Sequence, residues 1–203
     1  MLATAKTFCF HALIFGFWLG RAAVAAEPEK VLPIIVQVCS GCHGMDGNSV
    51  IPTIPKLAGR HPEYLVKELK EFISGKRKSD VMGAIVTTID VDDLKEIAAY
   101  FGRQKPTSEP LNDPAAAVIG KKLFLDGDEG RGVPACAGCH EEDGSGSKRF
   151  PRLAGQHRPY LVEQMSKFKH GVHDHPSARY MREVTRLLSD DEIKAVAEYL
   201  SAR

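Results

Sequence analysis

The sequence predicts an all-α chain of two tandem helical modules. Three observations carry this. Two pentapeptides, Cys39-Ser40-Gly41-Cys42-His43 and Cys136-Ala137-Gly138-Cys139-His140, each spell C-x-x-C-H. The residues after them repeat at an offset that drifts only between 96 and 99, which marks one module used twice. Apolar residues recur at helical spacing, and no alternating strand pattern of useful length is present.

The elements follow in order. Lys6 precedes an apolar run, Thr7 to Gly20, and then the small-residue stretch Ala23-Val24-Ala25-Ala26. This reads as a secretory signal over residues 1–26, cut after Ala25 or Ala26; the run is too short for a comfortable membrane span. The first module, residues 27–102, carries the first pentapeptide, then Pro55-Lys56-Leu57-Ala58-Gly59-Arg60-His61. From His61 to Ser74 a helix is expected, with Leu65, Leu69, Phe72 and Ile73 on one side and Pro62 at its start, where the missing N–H is harmless. Leu94, Ile97, Ala98 and Phe101 are spaced for the module's last helix. Pro106, Ser108, Pro110 and Asn112 give residues 103–113 the composition of a linker.

The second module, residues 114–203, restates the first. Gly120 to Phe124 suggests a helix leading into the second pentapeptide. Pro151-Arg152-Leu153-Ala154-Gly155-Gln156-His157 matches the segment at Pro55, and Tyr160-Leu161 matches Tyr64-Leu65. Ser189 to Glu192 is a capping box before Ile193, Val196, Ala197 and Leu200.

C-x-x-C-H is the attachment signature of c-type haem: the cysteines add to the vinyl groups as thioethers and the histidine becomes a proximal iron ligand. Two motifs predict two haem c, held by Cys39, Cys42, Cys136 and Cys139, with His43 and His140 beneath the irons. A redox disulfide expects a thioredoxin-like strand–helix context, which neither motif has. A zinc site needs both cysteine pairs to converge, yet each pair carries its own histidine and its own copy of the surrounding sequence. Of five cysteines, Cys9 lies in the leader and the haems use the other four. None is left for a structural disulfide, a nucleophile or an axial thiolate. Removing the leader takes Lys6 and Arg21 from 27 basic residues against 26 acidic ones. The remaining chain is near neutral and offers no basic field for nucleic acid.

The second axial ligand decides the chemistry. Met45 lies too close to His43 to reach the opposite haem face. Met165 aligns with Leu69, so it reads as packing. Met82 and Met181 stand at matched places, after the same helix and glycine and before the last helix, with flanks that read as irregular ligand loops. They are the predicted axial ligands. His170, His173 and His175 are rivals in module two, but their repeat partners are Ser74, Arg77 and Ser79, so a solvated loop or a weak surface metal site is expected there. His61 and His157 stand at helix starts, where a polar residue is unremarkable. The Pro55 and Pro151 carbonyls are the expected acceptors for the proximal ring N–H groups.

On these motifs the chain resembles the diheme cytochrome c4 family, two class I cytochrome c folds joined by a linker. The matching residues are the two C-x-x-C-H pentapeptides, the Pro-x-Leu-Ala-Gly-x-His segments, the Tyr-Leu helices with Phe-x-x-Gly, both methionines, and Gly120 through Val133-Pro134-Ala135-Cys136. One departure is Glu141-Glu142-Asp143-Gly144, where Gly44 to Gly47 keep a Gly-x-x-Gly run. The resemblance implies a periplasmic electron carrier of a respiratory chain, not itself an enzyme. It implies redox partners, a cytochrome bc-type donor and a haem–copper oxidase acceptor, and peripheral contact with the membrane. The competing readings are a cytochrome subunit of a dehydrogenase, such as flavocytochrome c sulfide dehydrogenase, and a diheme enzyme with an open iron position.

Overall fold

The computed structural model describes residues 30–203 together with Met1. The export signal expected over residues 1–26 falls almost entirely outside them. The described residues contain no strand, only an isolated bridge between Asp128 and Val133.

The first helix, α1, is not legible in the sequence. It runs without a break through Leu32–Ile34, a π-helical stretch Ile35–Cys39, and Ser40–His43. Its apolar run is too continuous to show a period. Helix α2 is Pro62–Ile73, with proline in its first turn as expected. Helix α3, Asp80–Val86, replaces the irregular loop expected around Met82; Ser79 caps it by accepting from the Met82 N–H at 3.2 Å. A single 3₁₀ turn, Val91–Asp93, leads into α4, Leu94–Gly102.

In the second module Asp113 caps α5, Pro114–Asp126, a longer helix than the sequence suggested. The α6 turn, Ala137–His140, carries the second motif. Helix α7 is Arg158–Lys169, and α8, Arg179–Thr185, again stands where an irregular loop was expected. The capping box closes as predicted at the start of α9, Asp190–Ser201: Glu192 N–H donates to Ser189 Oγ at 3.1 Å and Ser189 N–H to Glu192 Oε2 at 2.8 Å.

The apolar faces settle into two separate cores. Val31, Ile35, Leu65, Ile97, Ala98 and Phe101 form one, entirely from module one. Phe124, Leu161, Met165, Val196 and Leu200 anchor the other, entirely from module two, and Met165 is core packing as its partner Leu69 implied. Helices α5 and α9 cross so closely at Gly120 that a Cβ there would lie 1.9 Å from the Ala195 carbonyl oxygen.

The linker is a strap rather than a loose tether. Asn48 Nδ2 donates to Lys105 O, and Thr107 N–H donates to Asn48 Oδ1, each at 3.0 Å. Glu109 N–H donates to Ser201 O at 2.8 Å, and Asn112 and Asp113 N–H both donate to Glu198 Oε1. It therefore bonds to both modules.

Candidate functional site

The last turns of α1 put Cys39, Cys42 and His43 on one face, since residues three and four apart are neighbours on a helix. Gly44, at φ 78°, ends the helix directly after the histidine. His43 is buried, and its Nδ1–H donates to the Pro55 carbonyl at 2.9 Å. That bond leaves Nε2 unprotonated and free to coordinate. Burial, then the charge of Arg60, lowers the His43 pKa, which favours the neutral ring.

His43 opens onto a cavity of about 520 Å³. Cys39, Cys42 and Met82 share it, and Leu57, Leu69, Ile85, Ile97 and Phe101 supply apolar wall. The Cys39 thiol is free, and burial pushes it up to about 11. A redox C-x-x-C does the reverse and lowers its thiol.

Module two repeats the arrangement. His140 is buried and donates Nδ1–H to Pro151 O at 3.1 Å. The Phe150 ring stands edge-on to it, centroids 6.0 Å apart. Cys136 is also pushed up to about 11 by burial. Met181 is the third residue of α8, as Met82 is the third residue of α3, and both helices are seven residues long. At the position of Gly44 stands Glu141, with φ 65°, the single positive-φ residue other than glycine among the described residues. With ψ 153°, this is a region that side chains rarely adopt, at a cost of roughly 1–3 kcal/mol.

The donor chemistry fits haem c: in each module an unprotonated imidazole nitrogen, two free thiols and a thioether at a matched position, with an apolar cavity in the first. Among the described residues no group of three His, Cys, Asp or Glu is arranged for a bare metal ion.

In the histidine-rich segment His170 is exposed as expected, but His173 and His175 are not solvated. His173 stacks on Phe168 with centroids 4.3 Å apart and planes at 9°, and burial with the charge of Arg77 pushes it down to about 3. His175 is buried; its Nε2 lies 3.0 Å from His173 Nε2 and 3.6 Å from Glu71 Oε2 of module one. Nor is His157 unremarkable. It is buried at the seam, with Nδ1 2.6 Å from Glu109 of the linker and Nε2 2.8 Å from Ser49 O of module one. Around it lie Lys56, Arg60 and Gln156, also buried and also absent from any sequence-based expectation. Their contacts span about a hundred residues, and the only hint in the sequence was that His61 and His157 recur.

Comparisons with known proteins agree with this geometry. The family model described as Cytochrome c matches the chain twice, over residues 34–104 and 117–203. Cytochrome c4 of Pseudomonas aeruginosa is 39% identical over 166 residues, covering 80% of this chain and 82% of the relative. The crystal structure of reduced recombinant cytochrome c4 from Pseudomonas stutzeri superposes with a TM-score of 0.79 at 38% identity, covering 88% of this chain and 99% of that one. The thiosulfate dehydrogenase electron acceptor of Thiomonas intermedia is 32% identical, covering 92% of this chain and 86% of the relative.

Proposed function

The chain belongs to the cytochrome c4 family of diheme electron carriers, with two covalently bound haem c, and on that premise we propose that it is a periplasmic carrier delivering respiratory electrons towards a haem–copper terminal oxidase. In this reading residues 1–26 are an export signal, residues 27–102 and 114–203 are the two haem domains, and residues 103–113 join them. Cys39 and Cys42 attach one haem and Cys136 and Cys139 the other. His43 and Met82 would hold one haem iron, and His140 and Met181 the other.

Haem supplies a one-electron couple; the polypeptide sets how it is used. The Pro55 and Pro151 carbonyls hold each proximal ring and its tautomer. Apolar walls keep water from the site and favour the less charged reduced state. Thioether ligation raises the potential, which suits a late step in a respiratory chain. The observation that carries the proposal is the matched placement of Met82 and Met181 on equivalent short helices, with Met82 on the same cavity as His43. If His43, Met82, His140 and Met181 hold the irons, no residue is needed to admit a substrate to them, which supports a carrier rather than an enzyme. Among the described residues no helix is long and apolar enough to cross a membrane, so contact with a membrane-bound donor of the cytochrome bc type and with the oxidase would be peripheral.

The similarity to a thiosulfate dehydrogenase electron acceptor favours a second reading, in which a dehydrogenase is the donor. The reduced protein should be reoxidised within the mixing time by membranes containing a haem–copper oxidase, with matching oxygen uptake. Failure there, together with rapid reduction of the ferric protein by thiosulfate and a thiosulfate dehydrogenase, would replace the first reading with the second.

A further inference from the structure

The two proline-containing segments that hold the proximal histidines meet at the seam and exchange hydrogen bonds across it. Gln156 of module two donates Nε2–H to Lys56 O at 3.0 Å and accepts from Lys56 N–H at 2.9 Å. In the opposite direction Arg60 of module one donates NH1 to Arg152 O at 3.0 Å, while its Nε donates to Lys56 O at 2.8 Å. Lys56 and Arg152 are repeat partners, and so are Arg60 and Gln156. The exchange is therefore two-fold in geometry, with a neutral amide on one arm and a guanidinium on the other; beside it the buried Lys56 ammonium donates to Gly155 O at 2.9 Å and to Thr107 O at 3.1 Å.

That guanidinium is buried, and the acceptors it meets are backbone carbonyls, not carboxylates. It lines the cavity that holds His43 and Met82. It also reaches the carbonyl one residue beyond Pro151, the acceptor of His140. A buried cation without a carboxylate partner is costly unless other charge offsets it. It stands between the two segments that hold the proximal histidines, bonded to Lys56 O next to Pro55 and to Arg152 O next to Pro151.

We propose that Arg60 is a tuning residue shared by both haems: a fixed positive charge at the module seam, without a carboxylate partner, that favours the reduced state on either side. The physical step is simple. Reduction from ferric to ferrous adds one electron at each site, and a nearby desolvated cation stabilises that added negative charge. The proposal rests on the two-haem reading above, with His43 and His140 as proximal ligands.

The test is a potentiometric titration of the purified holoprotein and two variants. Arg60→Gln installs the residue that the repeat carries at position 156, so the crossed hydrogen bond to Arg152 can be remade without the charge. Arg60→Lys keeps the charge. In Arg60→Gln both one-electron waves should move to lower potential, with the reduced-to-oxidised ratio at fixed ambient potential falling about three- to tenfold at each haem, a tenfold change being about 59 mV. Arg60→Lys should stay within about twofold of the parent at both waves. A purely structural role would not be rescued by lysine, because its amine cannot reproduce the two-carbonyl fork. A shift confined to one wave, no shift, or Arg60→Lys behaving as Arg60→Gln would overturn the inference. Haem content by mass spectrometry separates the two claims. Fewer than two haems per chain defeats the two-haem reading and this inference together; two haems with unmoved waves defeat this inference alone.

Discussion

In the proposed coordination, Met82 and Met181 carry more of the chemistry than any other side chains whose role the motifs do not dictate. Each sits on the first turn of a seven-residue helix, where the backbone holds its direction. Replacing either by alanine should open one iron, lower that site's potential and remove about half of the ferric methionine–iron charge-transfer band. If the band survives Met181→Ala at full strength, the histidine-rich segment supplies the ligand instead. A second residue-scale prediction concerns Glu68. Burial would raise its carboxyl, but Arg77 and Lys67 outweigh burial and hold it down to about 2. Arg77 also reaches Tyr160 and Gln164 of module two at 3.1 and 3.2 Å, so the pair sits at the seam. The folded-state value lies below the unfolded one, near 4.5. The ionised pair therefore stabilises the fold fully above about pH 4.5 and is lost as pH falls towards 2. Denaturation midpoints measured across that range should fall with acidification in the parent and fall less steeply in Glu68→Gln.

Among the helices, α5 and α9 make the tightest crossing, and glycine is what permits it. A methyl at Gly120 would meet the backbone of Ala195 and Val196, which cannot swing aside as a flexible side chain would. Gly120→Ala should cost roughly 1–3 kcal/mol despite alanine's better helix propensity, read as a lowered unfolding midpoint with haem content unchanged. Unchanged stability would mean that the helices can part at no cost. This is also the scale at which the sequence was most and least informative. Helices α2, α4 and α9 were legible because their apolar stripes are long enough to show a period and their caps are strong. Helix α1 was hidden because Val31, Leu32, Ile34, Ile35, Val36 and Val38 form a nearly unbroken apolar run, with no polar face to betray its period. Helices α3 and α8 were read as irregular because seven residues show too little periodicity to distinguish a helix from a loop.

At the scale of the whole molecule, two independent apolar cores are joined by a seam of polar contacts. The repeat revealed that there are two modules and that each has its own haem motif. It did not reveal how they meet, because Lys56–Gln156, Arg60–Arg152 and Ser49–His157 pair residues about a hundred positions apart and leave no local pattern. For the same reason His173 and His175 looked like solvated loop residues, although they pack towards Glu71 of the other module. The strap over residues 103–113 had the composition of a linker, and only its hydrogen bonds to both modules show that it fixes their relation.

The central claim is that this molecule moves electrons without offering iron to a substrate. Carbon monoxide tests it most directly, because the gas binds ferrous haem only where an axial position is vacant or easily vacated. The reduced holoprotein, mixed with carbon monoxide at neutral pH while the Soret band is followed, should show a small, slow change at both haems and still exchange electrons rapidly with small redox partners. A large, rapid Soret shift at either haem would contradict filled histidine–methionine coordination and point instead to a catalytic iron.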